Sequence, residues 1–129
     1  MADSFWAIPD VTQIRTPLSI LREQASALTQ ETKGVLVGQA EAQPDGGRIR
    51  VVLDVVAPGL NDYRYRVLEY TQPLEMYPGQ LNGPGGVNPL IPSVRIQDEP
   101  KFIDAVKEVL SSPRVKNVLA SLLAQVSLA

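Results

Sequence analysis

Three alternating runs separated by short turns lie between Val35 and Thr71, and they constrain the fold more than any other feature of the sequence. The runs cover residues 35–42, 48–56 and 63–71. The second alternates most cleanly, and the third is rich in aromatic and β-branched side chains, which favour extended backbone. Proline, glycine, asparagine and aspartate make up most of both gaps, 43–47 and 57–62, as expected of turns. Because connections this short join antiparallel neighbours, we predict an antiparallel meander.

Helices are predicted on both sides of these strands. Thr16 and Pro17 form a typical helix start, so the first helix is expected over 17–33, ending at Gly34. Asp98 and Ser112-Pro113 repeat such start signals and predict two C-terminal helices with wide apolar stripes. The fold class is therefore α+β: an N-terminal helix, a three- to four-stranded antiparallel meander, and two C-terminal helices packed on one sheet face.

The length of 129 residues predicts a single domain over 1–129. Its apolar N-terminal arm, 1–15, is expected to lie on the body of the domain. A Pro/Gly-rich segment over 78–92 contains four prolines and four glycines, which predicts a mobile loop. A short fourth strand over 74–77 before this loop, and an extended piece over 94–96 after it, complete the predicted elements.

A pairing register follows if Val37 lies opposite Leu53 and Leu53 lies opposite Val67. The face expected to carry the helices then holds Val35, Val37, Val51, Leu53, Val55, Tyr65 and Val67. The second face holds Leu36, Val52, Val56, Leu68 and Tyr70 beside Arg48, Arg50, Asp54, Arg64 and Arg66. Since a half-solvated sheet usually alternates more cleanly, we expect part of this second face to be covered.

The complete absence of cysteine and histidine removes much catalytic chemistry. It excludes disulfides, thiolate nucleophiles, Ser-His-Asp triads and imidazole ligation of zinc or haem. The remaining carboxylates, lysines and tyrosines show no spacing typical of an active site or of a calcium loop. We therefore predict no catalytic residues, no metal and no cofactor, and the sequence leans against an enzyme without deciding the question.

A cluster of arginines is the densest basic feature. Arg50, Arg64 and Arg66 share the second face in the predicted register, where their guanidinium groups would suit phosphate or carboxylate. The competing interpretation is a structural one, with Asp54 opposite Arg66 in a cross-strand ion pair. The same register places Arg50 opposite Tyr70, and it puts Asp54 and Glu69 on opposite faces.

Surplus apolar surface is the second feature without an obvious role. The last helix carries no charge from Asn117 onward, so its stripe is either buried in its own domain or part of an interface. Aromatic residues near the N-terminus favour a partner surface. The predicted interface residues are Phe5, Trp6, Val52, Leu68, Tyr70, Leu119, Leu122, Leu123 and Val126.

These patterns predict a small, non-enzymatic protein-interaction module that forms a homodimer, binds another protein, or does both. The alternative is a small-anion binding protein or enzyme that uses the arginine cluster. A net charge of −2 and a pI near 5.1 argue against a nucleic-acid partner. With no signal peptide or membrane-length apolar run, we expect a cytoplasmic protein of bacterial style. The partner and pathway are not specified by the sequence.

Overall fold

A computed structural model describes residues 3–84 and 93–128. The elements are helices α1 (Pro17–Glu31), α2 (Glu99–Leu110) and α3 (Pro113–Leu128), a short 3₁₀ turn (Pro58–Leu60), and strands β1 (Val37–Asp45), β2 (Arg48–Ala57), β3 (Tyr63–Gln72), β4 (Gly79–Asn82) and β5 (Val94–Ile96). The predicted α+β fold is confirmed. Its sheet has five strands in the described part of the chain, rather than three or four.

The predicted helix starts are confirmed by their capping hydrogen bonds. Thr16 accepts a bond from the Ser19 N–H at 3.0 Å, and Asp98 accepts one from the Lys101 N–H at 3.0 Å. Each cap satisfies a backbone donor that the first helical turn leaves free. Helix α3 begins at Pro113, as expected.

Helix α1 ends two residues before the predicted end at Lys33. Lys33 and Gly34 both adopt left-handed backbone, with φ of 54° and 80°. The Gly34 N–H donates to the Thr29 carbonyl at 2.8 Å, which closes the helix end. The stop signal was therefore identified correctly, but the turn that it makes begins earlier.

The strands follow one another in the sheet, and each pairs antiparallel with the next. The predicted strand at 74–77 is wrong, because Met76 has φ of 71° and its N–H donates to the Pro73 carbonyl in a turn. The fourth strand is Gly79–Asn82, which lies inside the predicted 78–92 loop. Residues 85–92 of that loop lie outside the described residues. The extended piece at 94–96 is confirmed as β5.

The first hairpin has a different register from the predicted one. Val37 pairs with Val56 instead of Leu53. The reason is the tight turn at Gly46 and Gly47, whose positive φ values of 56° and 82° suit a two-residue hairpin loop. The longer turn predicted over 43–47 would have shifted the pairing by three residues.

A bulge in β3 changes the second hairpin. Leu53 pairs with Leu68, whereas the next residue, Asp54, pairs with Arg66, so Val67 falls between the two pairs. Leu68 and Tyr70 therefore lie on the helix-covered face and are fully buried, at 0 % exposure. Their predicted placement on the second face is wrong.

The core lies between the three helices and one face of the sheet. Its largest buried side chains come from both layers: Leu21, Leu36, Val51, Val67, Leu68, Tyr70, Ile96 and Phe102. At one end, the rings of Tyr70 and Phe102 are tilted against each other with centroids 4.8 Å apart, and Tyr77 lies 6.1 Å from Tyr70. Such offset aromatic contacts stabilise a core beyond the area that they bury.

The two tyrosines of this cluster are expected to respond differently to removal of the hydroxyl. Tyr70 Oη donates to the Met76 carbonyl at 2.7 Å, so Tyr70→Phe is expected to lower the free energy of unfolding by about 1 kcal/mol. Tyr77 Oη is buried and has no hydrogen-bond partner in the described part of the chain. Tyr77→Phe is therefore expected to be neutral or slightly stabilising in urea unfolding at neutral pH. A loss as large as that of Tyr70→Phe would contradict this arrangement.

Alkaline pH provides a second test of the same cluster. Burial, and then the nearby charges of Glu99 and Asp98, raise the pKa of Tyr77 to about 12 from its ordinary value of 10.0. Because the folded state holds the neutral phenol, its stabilising effect is present below pH 10 and is lost as the pH rises through about 10 to 12. The expected loss of stability, measured by urea unfolding at these pH values, is smaller in Tyr77→Phe than in the natural chain.

Candidate interaction surface

The bulge in β3 brings the predicted arginine cluster together with two carboxylates. Arg66 Nε donates to Asp54 Oδ1 at 2.9 Å, and Arg64 Nη1 donates to Asp54 Oδ2 at 3.0 Å. Arg66 Nη1 also donates to Glu69 Oε1 at 3.2 Å, and Arg50 Nη1 lies 3.9 Å from the same oxygen. The five side chains form one network on the second face of the sheet.

The predicted pair of Asp54 and Arg66 is confirmed, and two other details of the predicted register are wrong. Arg50 lies opposite Thr71 instead of Tyr70. Glu69 shares a face with Asp54, since Arg66 contacts both carboxylates. The one-residue shift at the bulge accounts for both differences, because a shift of one residue moves a side chain to the other face.

The three arginines of the network outnumber its two carboxylates, so the network carries one net positive charge. Asp54 and Glu69 are 3 % and 5 % exposed, so their charges depend on the guanidinium groups that surround them. The hydrogen bond to Asp54 raises the pKa of Arg66 above its ordinary value. Arg50 and Arg64 also bond to glutamine side chains on β1. Small-anion binding by these arginines stays a prediction, and an anion would have to compete with these contacts.

The arginine network also explains the mixed character of the second face. Val52 and Val56 lie on this face and are buried, yet they are not part of the core cluster that includes the helices. We attribute their burial to the aliphatic stems of the arginines, which cross the face to reach the carboxylates. The burial of these two valines agrees with the expectation that part of the second face is covered.

Replacing Asp54 with asparagine tests the structural role of the network. Asp54→Asn keeps the shape but removes the charge that holds Arg64 and Arg66. We expect a loss of about 1–3 kcal/mol in the free energy of unfolding, near the range for hydrogen bonds to charged groups, since both arginines remain partly hydrated. Asp104→Asn, on the exposed surface of α2, is the matched control and should change stability by less than about 0.5 kcal/mol. Equal effects of the two variants would contradict the network.

The predicted interface residues fall into three groups. Leu68, Tyr70, Val52 and Leu122 are buried within the monomer and present no surface. The α3 residues Leu119, Leu123 and Val126 are half-buried against the core. The stripe of the last helix therefore packs mainly on its own domain. Phe5 and Trp6 differ from all of these, because they are exposed.

The N-terminal arm, residues 3–15, carries the largest exposed apolar side chains. Phe5 is 98 % exposed, Trp6 84 % and Ile8 84 %, with Val11 and Ile14 also exposed. The expectation that the arm lies on the body of the domain is therefore wrong. Local bonds shape it, such as the Thr12 N–H to Asp10 Oδ1 bond of 3.0 Å. An isolated Leu on a surface is ordinary, but a run of aromatic and β-branched residues is typical of a segment that binds a partner.

An apolar groove runs between α1 on one side and α2 and α3 on the other. It consists of two adjoining cavities that share Gln24 and Leu110. The one near the arm has a volume of about 300 Å³ and includes Arg15, Ile20, Ile103, Val106 and Lys107. The other has a volume of about 200 Å³, and its deepest walls are core residues of β2 and β3. The sequence could not indicate this groove, because the pattern of each lining residue predicts only ordinary packing of a helix or strand.

Residues 3–84 and 93–128 contain no group of three acidic side chains that could hold a metal ion. Among the helices of these ranges, none has the length and apolar character of a membrane span.

Comparison of the chain with family models, with curated proteins and with solved structures finds no match.

Proposed function

We propose that this protein is a protein-interaction module whose binding segment is the N-terminal arm, and that it associates with itself. The observation that carries this proposal is the exposure of Phe5, Trp6 and Ile8. Aromatic residues, and tryptophan above all, dominate the binding energy of protein interfaces when a partner buries them. Extended segments with spaced apolar anchors are a recurring mode of recognition.

The chemistry of the remaining surface supports binding over catalysis. The most concentrated set of charged groups is the arginine network, in which Asp54 and Glu69 already engage the guanidinium groups. Those carboxylates are bound to arginines, so they are poorly suited to accept a proton from a substrate. The arm, in contrast, has apolar surface that its own domain leaves uncovered.

Sedimentation of the purified full chain over a wide range of concentrations tests this proposal. The mass is expected to rise from 14.0 kDa for a monomer to twice that value as the concentration increases. Hydrogen exchange on the same samples should show slower exchange of the arm amides in the associated form. A chain that stays monomeric at the highest attainable concentration would contradict the proposed self-association.

A further inference from the structure

We propose that two copies of this chain exchange their arms, with Trp6 of each protomer seated in the apolar groove of its partner. This inference rests on the proposed function and deepens it, since it names the partner and the binding site. The groove is the one between α1 and the pair α2 and α3, where apolar side chains line a concave surface that is open to solvent.

The deeper cavity of the groove matches one aromatic side chain in size and chemistry. Its volume is about 200 Å³, and its apolar lining includes Leu28, Leu53, Val55, Val67, Leu110, Val115 and Leu119. An apolar protein cavity of about 150 Å³ stays dry and binds benzene, so this one has room for a ring somewhat larger. Trp6, the single tryptophan of the chain, supplies such a ring on an exposed segment.

The arm is long enough to fill the whole groove. Residues 3–14, if extended, reach about 40 Å, whereas the 15 residues of α1 span about 22 Å along the groove. One cavity begins beside Arg15, and the shared residues Gln24 and Leu110 lead into the deeper one. A segment seated there can therefore place Trp6 in the deeper cavity and other apolar residues of the arm in the shallower one.

The exposure of the arm favours the groove of a second copy. Thr16 has extended backbone, with φ of −83° and ψ of 158°, and Pro17 restricts it to that region. Arg15 is held by an ion pair with Glu23, at 2.7 Å. With this junction in place, Phe5 and Trp6 are 98 % and 84 % exposed, so the chain's own groove does not hold them. Reciprocal exchange leaves this junction unchanged and fills both grooves of a closed two-fold dimer.

Charge also matches between the arm and the groove entrance. Arg15 and Lys107 line the shallower cavity, which has no carboxylate in its lining. Arg15 is paired with Glu23, but Lys107 is in no ion pair within residues 3–84 and 93–128. Asp10 is an exposed carboxylate on the arm, four residues after Trp6. A seated arm thus brings Asp10 toward an otherwise unpaired cation at the rim.

The area available is sufficient for a stable dimer. An aromatic side chain buries about 150–250 Å² when it is enclosed, so Phe5 and Trp6 from two arms remove about 600–1,000 Å² from water. The walls of the two grooves lose a smaller area, because many of the lining side chains are already buried in the monomer. With the contributions of Ile8 and Val11, the total reaches the roughly 1,000 Å² that a specific interface needs.

Mixing two variants tests the exchange directly. Trp6→Ala removes the anchor and keeps the groove, whereas Leu119→Gln places a polar side chain at the mouth of the deeper cavity and keeps the anchor. Each variant alone is expected to associate at least about 30-fold more weakly than the natural chain. An equal mixture is expected to recover a heterodimer with one intact seat, detected by sedimentation and by a blue shift of the Trp6 emission.

Two further variants make this experiment decisive. Val118→Gln is the matched control for Leu119→Gln. Val118 is next to Leu119 in sequence but lines a different cleft, beside Tyr63 and Tyr65, so this variant should leave association unchanged. Ala27→Leu places a larger side chain of a good helix former in the groove, on its α1 wall. This variant is used in place of Leu119→Gln if Leu119→Gln unfolds. It too is expected to weaken association.

The outcomes separate this inference from the proposed function. If the natural chain associates but groove variants have no effect, or if the mixture forms no heterodimer, arm exchange is wrong and self-association stands. If Trp6 is buried in a chain that stays monomeric, the arm occupies its own groove and the exchange is overturned. If the natural chain neither associates nor buries Trp6, both proposals fail.

Discussion

Replacing Trp6 with alanine is expected to weaken self-association by at least about 30-fold, the effect of losing a hot-spot contact worth about 2 kcal/mol or more. The monomer should keep its unfolding midpoint in urea, because the Trp6 side chain is 84 % exposed in the monomer. Sedimentation equilibrium measures the first quantity and urea unfolding of dilute protein measures the second. The combination of a large effect on association and none on monomer stability is what distinguishes a binding segment from a structural one.

Leu74→Ala is the matched control for the arm. Leu74 is 81 % exposed, in the turn between β3 and β4, so it is as accessible as Trp6 but lies outside the arm. If association depends on the arm and not on general surface hydrophobicity, this variant should associate like the natural chain. Equal weakening by Leu74→Ala and Trp6→Ala would indicate non-specific apolar contact.

Replacing Gly38 with alanine is expected to have the largest effect on stability, a loss of about 3 kcal/mol or more. A β-carbon at position 38 would stand 2.5 Å from the Cα of Ala25 and closer still to its carbonyl oxygen. Both are backbone atoms of α1, so no side chain can move aside. The Gly38 N–H also donates to Thr29 Oγ1 at 3.0 Å, a bond that holds the helix at this distance from β1.

Gly59→Ala is the control for the effect of a glycine-to-alanine change as such. The three atoms nearest to its β-carbon would all belong to the side chain of Val126, the closest at 3.0 Å, and that side chain can adjust. The loss measured by urea unfolding should be much smaller than for Gly38→Ala. If the two variants unfold at the same urea concentration, α1 does not pack on β1 as closely as described.

The helices and their starts were predictable because the signals that form them are local. Thr16-Pro17 and Asp98 act within one helical turn, and the structure shows their side chains accepting the expected bonds. The α+β class and the antiparallel order followed from short connections for the same reason. The end of α1 was predicted less accurately, because Lys33 adopts left-handed backbone, which its residue type does not predict.

The faces of the sheet were only partly predictable. A single unpaired residue, Val67, moves Leu68 and Tyr70 from one face to the other, and nothing in the alternation of β3 marks its position. The same shift brings Glu69 beside Asp54 and completes the arginine network. Cross-strand register depends on packing between distant residues, which one sequence does not display.

The candidate site shows the same division between local and distant information. Phe5 and Trp6 were predicted to be interface residues from their chemistry and position, and this stays a prediction. Their exposure was not anticipated, because an apolar arm is ordinarily expected to find cover on its own domain. The groove depends on the spacing between three helices, so only the folded chain displays it.

The emission of Trp6 as a function of protein concentration tests the central claim most directly. Trp6 is the single tryptophan of the chain, so its fluorescence reports the arm without any label. We predict the emission of an exposed indole at low concentration and a blue shift as the concentration rises, with the same midpoint as the doubling of mass in sedimentation. An emission maximum that stays at the position of an exposed indole while the mass doubles would contradict the claim that the arm is the binding segment.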